Sequence, residues 1–264
     1  MTKLGPPAIG LIPAAGSARR LGRLPGSKEV LPLGFVAAGG GGVRPRLACH
    51  GLLAAFAAAG IERALVVLGA GKWDVPAALL GGEGTGVALA YLPVAGSRSV
   101  PESLDRARPF VAGLEVAMGF PDVWFEPADA FARVLARRRE SGAEVALGCF
   151  PTAEPRRTDL VDLAADGAVR GIAVRPAAGR PGLNWLIAAW TPRFTAFLGR
   201  EVAAARRDAG AGAELQLGEV FGRALDAGLP IAAVPFPHGR FRDLGTPEDL
   251  AAAWRAGGDP LAPE

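Results

Sequence analysis

Cysteine and lysine are scarce in this chain of 264 residues, and long apolar runs are missing. Only two cysteines occur, Cys49 and Cys149, and the first residues lack the charged, apolar and cleavage regions of a secretion signal. The longest apolar runs are rich in alanine and shorter than the roughly 20 residues that cross a bilayer. We therefore expect a cytoplasmic protein without disulfide bonds and without a membrane partner.

Charge is nearly balanced, since 29 basic and 26 acidic residues give a net charge of +3. Arginine is spread along the chain without a basic tract, which argues against a nucleic-acid partner. Lysine occurs only at Lys3, Lys28 and Lys72. A lysine inside a candidate motif is therefore more informative than usual, although Lys72 shows that lysines also occur elsewhere. His50 and His238 lack the spacing of a metal pair or a catalytic triad.

The first half of the chain alternates short β-like runs with helical patterns. Buried strands are predicted at residues 8–13, 64–68, 87–92 and 114–118. Helices are predicted at residues 46–59 and 127–141. Because this order implies right-handed crossovers, it predicts an α/β fold with a doubly wound, mostly parallel sheet.

The second half is expected to add antiparallel strands. Strands are predicted at residues 145–150, 160–163, 169–174 and 185–190, with turn-forming residues between them. A helix at about 214–227, a strand at 231–236 and a final helix through residue 254 follow. Thr246 is suited to the N-cap of this final helix, and Pro247 to its first position.

A loop of small residues, Ala14-Ala15-Gly16-Ser17, follows the first predicted strand, and Arg20 and Lys28 come after it. Small residues let backbone N–H groups approach phosphate oxygens. The two cations could neutralise the charge that develops on an α-phosphate as pyrophosphate leaves. An ordinary βα loop with solvated charges explains this segment equally well when it is taken alone.

This segment resembles the N-terminal signature of the sugar-1-phosphate nucleotidyltransferase family, typified by glucose-1-phosphate thymidylyltransferases. The signature reads A-A-G-x-G-T-R-L, then P-K, then L-x-P. The matching residues are Ala14, Ala15, Gly16, Arg20, Leu21, Lys28, Leu31 and Pro32. Ala18, Arg19 and Ser27 depart from the signature. Ala18 replaces a glycine, and alanine adopts φ > 0 only at a cost.

A second resemblance lies in residues 101–107, which read Pro-Glu-Ser-Leu-Asp-Arg-Ala. They are similar to the family's segment that contacts the base and ribose, which implies nucleotide contacts from Pro101, Ser103 and Leu104. Ser103 stands where the family has glycine. Taken alone, the segment is better explained as a helix with Ser103 at its N-cap.

Two aspartates resemble the family's metal ligands. Asp122 follows a predicted strand in Gly119-Phe120-Pro121-Asp122, similar to a divergent G-F-P-D subgroup, and Asp243 matches the family's D-x-G-T-P. Ligands bind at the carboxyl ends of such strands, and two carboxylates could hold Mg²⁺. A lone aspartate before a helix is more often a cap or turn residue, but the pair occurs in family order.

The acceptor side is less well matched. Val174-Arg175-Pro176 stands where the family has E-K-P, whose lysine contacts the sugar phosphate. The resemblance implies acceptor contacts from Arg175, Asn184 and Trp185. Loss of the glutamate at Val174, together with arginine in place of the lysine at position 175, favours an atypical sugar or cyclitol phosphate, since arginine is not a conservative replacement where geometry is tight. A surface arginine at a strand end is an equally good interpretation of Arg175.

The resemblance runs from residue 8 to about 255 and implies a Rossmann-like sheet with an inserted mixed β acceptor-binding region. It implies one nucleotidyltransferase domain, residues 1–257, and a tail at 258–264. Within the domain, a nucleotide-binding part covers about 1–125, an acceptor-binding part about 126–240, and a closing metal-binding strand and helix 240–256. The implied reaction is the Mg²⁺-dependent condensation of an NTP, with dTTP or UTP favoured, and a sugar 1-phosphate. Its products are an NDP-sugar and pyrophosphate, as in sugar nucleotide biosynthesis, and a homo-oligomer is compatible with this reading.

Three alternatives stay open. One is a cytidylyl-, uridylyl- or guanylyltransferase for a non-standard phosphate acceptor. Another is a nucleotide- or sugar-nucleotide-binding regulatory module without turnover, which Ala18, Ser27 and Val174 suggest. The intact Lys28 and the pair of aspartates argue against it. A glycosyltransferase is disfavoured because the D-x-D motif expected after a strand is missing.

Overall fold

The computed structural model describes residues 8–38, 41–208, 214–256 and 260–261, and the predicted tail thus lies mostly outside the described residues. Within these ranges the strands are β1 (Ala8–Ala14), β2 (Pro32–Ala37), β3 (Val43–Leu47), β4 (Arg63–Gly69), β5 (Ala88–Val94), β6 (Glu115–Gly119), β7 (Val123–Glu126), β8 (Val145–Thr152), β9 (Leu160–Leu163), β10 (Val169–Ala173), β11 (Gly182–Trp190), β12 (Ile231–Pro235) and β13 (Arg240–Asp243). The helices are α1 (His50–Ala58), α2 (Asp74–Leu79), α3 (Val100–Val111), α4 (Ala130–Ser141), α5 (Pro192–Asp208), α6 (Leu217–Asp226) and α7 (Pro247–Arg255).

A nine-stranded, mostly parallel sheet forms the centre of the described structure. Seven strands lie in the order β12, β8, β11, β6, β1, β4 and β5, and β9 and β10 join at one end of β11. In this row only β11 runs against its neighbours β6 and β8. The predicted α/β class and mostly parallel sheet are therefore confirmed.

Helices cover both faces of the sheet, which explains why its central strands are apolar on both sides. One buried cluster packs between the sheet and α3, α5 and α6, with Phe194 and Phe221 among its largest members. The other packs against α1, α2 and α4 around Phe56 and Phe131. Each face of the sheet thus has its own core.

The structure corrects the start of the first predicted helix. Residues 43–47 form β3, which pairs with β2 in an antiparallel hairpin, and α1 begins only at His50. The Leu47 N–H donates to His50 Nδ1 at 3.1 Å, which satisfies a backbone group where the strand gives way to the helix. Pairing with β2 therefore overrides the helical spacing of residues 46–49.

Two short strands, β7 and β13, connect the end of the chain to its first half. They pair antiparallel, with Asp243 opposite Val123 and Arg240 opposite Glu126. The helix α7 then starts as predicted, because the Thr246 hydroxyl accepts from the Asp249 N–H at 3.2 Å. This antiparallel ribbon brings Asp243 to the site described below.

None of the helices in the described part of the chain has both the length and the apolar character needed to cross a bilayer.

Burial should make both cysteines inert in the folded protein. Cys49 and Cys149 lie in the two separate cores, and burial raises the pKa of each thiol to about 12. Since the thiolate is the reactive form, we expect no reaction of the native protein with Ellman's reagent at about pH 8. Both thiols should react in guanidinium chloride. Rapid reaction of one thiol under native conditions, measured at 412 nm, would contradict this assignment of the cores.

Candidate functional site

Three neighbouring parallel strands end at one edge of the sheet. β1 ends at Ala14, β4 at Gly69 and β6 at Gly119, and each is followed by a loop. A Cβ atom at Gly69 would lie 2.8 Å from the Ala15 carbonyl oxygen, so the loops after β1 and β4 pass close together. Open α/β sheets bind ligands at this edge, and the predicted phosphate loop therefore lies where a ligand is expected.

The predicted phosphate loop, which we define as residues 14–18, begins at Ala14. Ala14 is buried, while Gly16 and Ser17 are exposed. Ala18 has φ 50°, the left-handed conformation that glycine adopts most easily. Its carbonyl accepts from the Leu21 N–H at 2.9 Å and turns the chain into a short 3₁₀ helix at residues 19–21. The loop thus keeps a glycine-like backbone although alanine occupies the position.

Lys28 and Asp122 form a largely buried ion pair. Lys28 Nζ lies 2.5 Å from Asp122 Oδ2, and the two side chains are 19% and 8% exposed. Burial alone would raise the pKa of Asp122, but the Lys28 ammonium outweighs it and lowers that pKa. Burial alone would lower the pKa of Lys28, but the Asp122 carboxylate outweighs burial, so the pKa of Lys28 is raised. Both groups are therefore charged at neutral pH.

Arg20 reaches the second predicted aspartate. Arg20 Nη2 lies 3.7 Å from Asp243 Oδ2, and both side chains are partly exposed. A Cβ atom at Gly245 would lie 2.5 Å from Arg20 Nη2 and 2.8 Å from Asp243 Oδ1. Glycine at position 245 thus leaves the space in which the guanidinium and the carboxylate meet.

Asp122 and Asp243 are neighbours at this edge. The Asp122 carbonyl accepts from the Leu244 N–H at 2.9 Å. Burial raises the pKa of Asp243, and the Asp122 carboxylate raises it further, against Arg20 and Lys28. Two carboxylates that repel each other in this way fit a divalent cation, since Mg²⁺ takes one or two protein carboxylates and completes its shell with water and phosphate. Within the described ranges, no group of three or more His, Cys, Asp or Glu side chains is arranged so that it could hold a metal ion.

The segment predicted to contact the base has a different local structure from the one expected. The N-cap of α3 is Ser99, not Ser103, because Ser99 Oγ accepts from the Glu102 N–H at 3.3 Å. Ser103 lies inside α3, where its hydroxyl bonds Ser97 Oγ at 2.8 Å and the Ser99 carbonyl at 3.2 Å. Pro101 and Leu104 are buried as well, and Leu104 belongs to a core cluster. Among the described residues, the exposed groups at this segment are Arg106 within α3 and Ala95, Gly96 and Arg98 in the loop before it.

The predicted acceptor residues have distinct environments. Trp185 is buried, and its Nε1–H donates to Asp159 Oδ2 at 3.2 Å. Asn184 is buried too, and its Oδ1 is without a hydrogen-bond partner among the described residues. Arg175 is exposed and has φ 38°. The Asn184 and Trp185 side chains point to opposite faces of β11, because successive residues of a strand alternate.

Asp159 was not predicted as a site residue. Burial raises its pKa, whereas the Trp185 indole and the Arg175 charge lower it. A Cβ atom at Gly218 would contact Asp159 Oδ2 and would lie 3.0 Å from a Val174 methyl carbon. Asp159 thus places a carboxylate beside Val174, where the family's glutamate is missing.

A cleft of about 490 Å³ opens beside the phosphate loop. Its lining includes Ser17, Ala18 and three cationic residues, Arg23, Lys28 and Lys72. This volume is in the range of ligand sites. Lys72 was not predicted as a site residue, and the only sequence signal that pointed to it was the scarcity of lysine.

Comparison with known proteins identifies the fold. No protein-family model and no curated protein sequence matches the chain. Among solved structures, the chain is similar to a Bacillus anthracis protein provisionally assigned as a glucose-1-phosphate thymidylyltransferase, crystallised in complex with a sucrose. The TM-score is 0.79 at 17% identity, and the match covers 97% of this chain and 98% of that one. The two chains share the same α/β fold over nearly their whole lengths.

The backbone of Ala18 allows a direct test of the phosphate loop. Replacing Ala18 with glycine removes the left-handed strain, and we expect the free energy of unfolding in urea to rise by up to about 1 kcal/mol. Ala15→Gly is the matched control, because Ala15 lacks a positive φ, so glycine there relieves no strain, adds freedom to the unfolded chain and removes a methyl group that packs against the core. We expect that variant to be less stable by about 0.5 kcal/mol. Equal effects of the two variants would show that Ala18 is unstrained in solution.

Proposed function

We propose that the chain is a Mg²⁺-dependent nucleotidyltransferase that condenses an NTP with a sugar 1-phosphate to give an NDP-sugar and pyrophosphate. dTTP or UTP is the favoured nucleotide. The observation that carries the proposal is the meeting of Lys28, Asp122, Arg20 and Asp243 beside a loop of small residues. The shared fold with a protein assigned to sugar-nucleotide chemistry supports it.

The reaction needs positioning more than acid–base chemistry. An oxygen of the acceptor phosphate attacks the α-phosphorus, and the bond from that phosphorus to the bridging oxygen breaks. The electron pair of this bond leaves with pyrophosphate. Since the attacking oxygen is already ionised at neutral pH, no general base is required. The protein therefore has to align the two phosphates and neutralise the charge that builds up between them.

Lys28 is suited to the α-phosphate. An ammonium group has three N–H donors, and Asp122 accepts from one of them in the described structure. The remaining donors are held at a nearly buried position, where a charge interaction is stronger than in water. Arg20, on the exposed side of the loop, offers a planar guanidinium to the phosphates beyond it.

Asp122 and Asp243 would hold Mg²⁺. When bound, the cation draws charge from the α-phosphate and orients both reactants. Lys28 keeps Asp122 ionised, and the Asp243 carboxylate reaches the same place through the ribbon of β7 and β13. Asp243, whose pKa is raised by burial and then by the Asp122 carboxylate, would gain a positively charged partner there.

The proposed acceptor site contains Arg175, Asn184 and Trp185. Arg175 would contact the acceptor phosphate, because it is exposed at the end of β10. Trp185 would act through Asp159, whose carboxylate it orients. With Val174 in place of glutamate and Asp159 beside it, we propose an acceptor other than an ordinary hexose 1-phosphate, such as an atypical sugar or cyclitol phosphate.

The proposal is tested by the release of pyrophosphate from each NTP with MgCl₂ and a panel of sugar and cyclitol phosphates. For Lys28→Ala and Asp122→Asn we expect kcat/KM to fall by at least about 100-fold, because each change removes charge from the reacting phosphate or its metal. Removal of MgCl₂ by EDTA should abolish release.

A matched control comes from the exposed ion pair of Arg170 and Asp162, whose side chains are 62% and 63% exposed. Arg170→Ala and Asp162→Asn should leave kcat/KM within about twofold of the wild type. Thermal melting of each variant separates a catalytic loss from unfolding, since breaking a buried pair costs about 3–5 kcal/mol. If no pair of substrates gives release while dTTP or UTP still raises the melting temperature, the regulatory-module alternative replaces this proposal.

A further inference from the structure

The loop after β4, residues 70–73, forms a second wall of the cleft beside the phosphate loop. Just after it, Asp74 Oδ2 accepts from the Ser27 N–H at 2.5 Å, and Asp74 Oδ1 accepts from the Ser27 hydroxyl at 2.7 Å. Gly71, which also lines the cleft, has φ 86° and turns the chain there. The two walls are thus joined by hydrogen bonds at one end and enclose the cleft between them.

Lys72 stands in this second wall. Its Nζ lies 2.7 Å from Glu29 Oε1, and its side chain is 13% exposed. Of the three donors of an ammonium group, Glu29 accepts one, and no other partner occurs among the described residues. Lys72 therefore lines the cleft with donors left for a ligand.

Glu29 fixes the position of this ammonium group. Glu29 is 1% exposed, and its other oxygen, Oε2, has no hydrogen-bond partner within the described ranges. The backbone of Glu29 is held as well, because its carbonyl accepts from the Cys49 N–H at 3.0 Å. Since the carboxylate cannot move into water, Lys72 is held against it at the border of the cleft.

The side chains that line the cleft favour an anion, and the carboxylates that pair with Lys28 and Lys72, Asp122 and Glu29, lie outside this lining. Its lining contains the cations Arg23, Lys28 and Lys72 and one carboxylate, Asp74, which already accepts two hydrogen bonds from Ser27. A polyphosphate offers several negatively charged oxygens that can bind separate cations at once. Lys28 and Lys72 lie in different walls, so a ligand with more than one phosphate group can contact both walls at once.

We propose that Lys72 binds the terminal phosphates of the nucleotide and the pyrophosphate that leaves, with Glu29 as its positioning residue. This inference rests on the proposed function and deepens it, because it assigns the cleft to the leaving group. Lys28 then serves the α-phosphate and Lys72 the phosphates that depart. If Lys72 instead only holds the two loops together, its replacement should weaken the binding of every ligand equally.

Titration calorimetry of the full chain with sodium pyrophosphate and, separately, with dTMP and UMP distinguishes the two roles. For Lys72→Met we expect pyrophosphate to bind at least about tenfold more weakly, since a charged partner of the phosphate is lost. The monophosphates should change by less than about twofold. Lys72→Arg keeps the charge but not the ammonium geometry, and we expect it to weaken pyrophosphate binding less than Lys72→Met does. Arg63→Met removes one charge from the opposite, exposed end of β4 and should change nothing.

Wild-type pyrophosphate affinity in Lys72→Met would overturn the inference. An equal loss for dTMP, UMP and pyrophosphate would do so too, as would the failure of the wild type to bind pyrophosphate. If Lys72→Met alone does not fold, the double variant Glu29→Gln/Lys72→Met removes both charges of the pair and gives the same test. Turnover is measured separately, so a wild type that binds pyrophosphate but releases none from NTP and acceptor refutes the proposed function and leaves the assignment of Lys72 standing.

Discussion

The ion pair of Lys28 and Asp122 is the contact on which the site depends. Burying two charges costs several kcal/mol for each ion, and only close pairing offsets that cost. The neighbours of Lys28 extend this contact, since Ser27 bonds Asp74 and Glu29 bonds Lys72. Three consecutive residues thus tie the region after the phosphate loop to the ends of β4 and β6. The loops at the sheet edge are therefore held as one unit, although they are distant in sequence.

Attractive and repulsive charge interactions occur together at this edge of the sheet. Cations and carboxylates occur side by side, with Arg20 near Asp243 and Lys28 on Asp122, while the two carboxylates oppose each other. Such an arrangement is close to neutral as a whole but strongly polar within a few ångströms. Under the proposed function, polyphosphate and metal together would match this arrangement better than either alone, because the phosphates would bind the cations and the metal would bind the carboxylates.

The sequence predicted the central sheet well because its strands are long, apolar and regularly separated. Four strands of the first half and the cap at Thr246 lie where the patterns indicated. The hairpin of β2 and β3, the ribbon of β7 and β13, and α5 were not predicted. The hairpin and ribbon strands are only four to six residues long and pair solely with each other, so their backbone hydrogen bonds, more than side-chain periodicity, decide their structure.

For the site, the sequence indicated which residues to consider but not their arrangement. It named Arg20, Lys28, Asp122 and Asp243, and the structure brings these four together. It missed Lys72 and Asp159, because their significance depends on partners, Glu29 and Trp185, that only folding brings near. The sequence also suggested Ser103 as the N-cap of α3, whereas Ser99, which accepts from the Glu102 N–H, forms the cap four residues earlier.

The ribbon of β7 and β13 has a consequence for how the protein is made. A ribosome completes the phosphate loop, β1, β4 and β6 long before it adds Asp243 and Gly245. During that interval Arg20 lacks its carboxylate partner, and Asp122 has no like charge beside it. Synthesis of every strand of the central sheet therefore precedes synthesis of the complete site, because β13 is the last strand in the chain and lies outside that sheet.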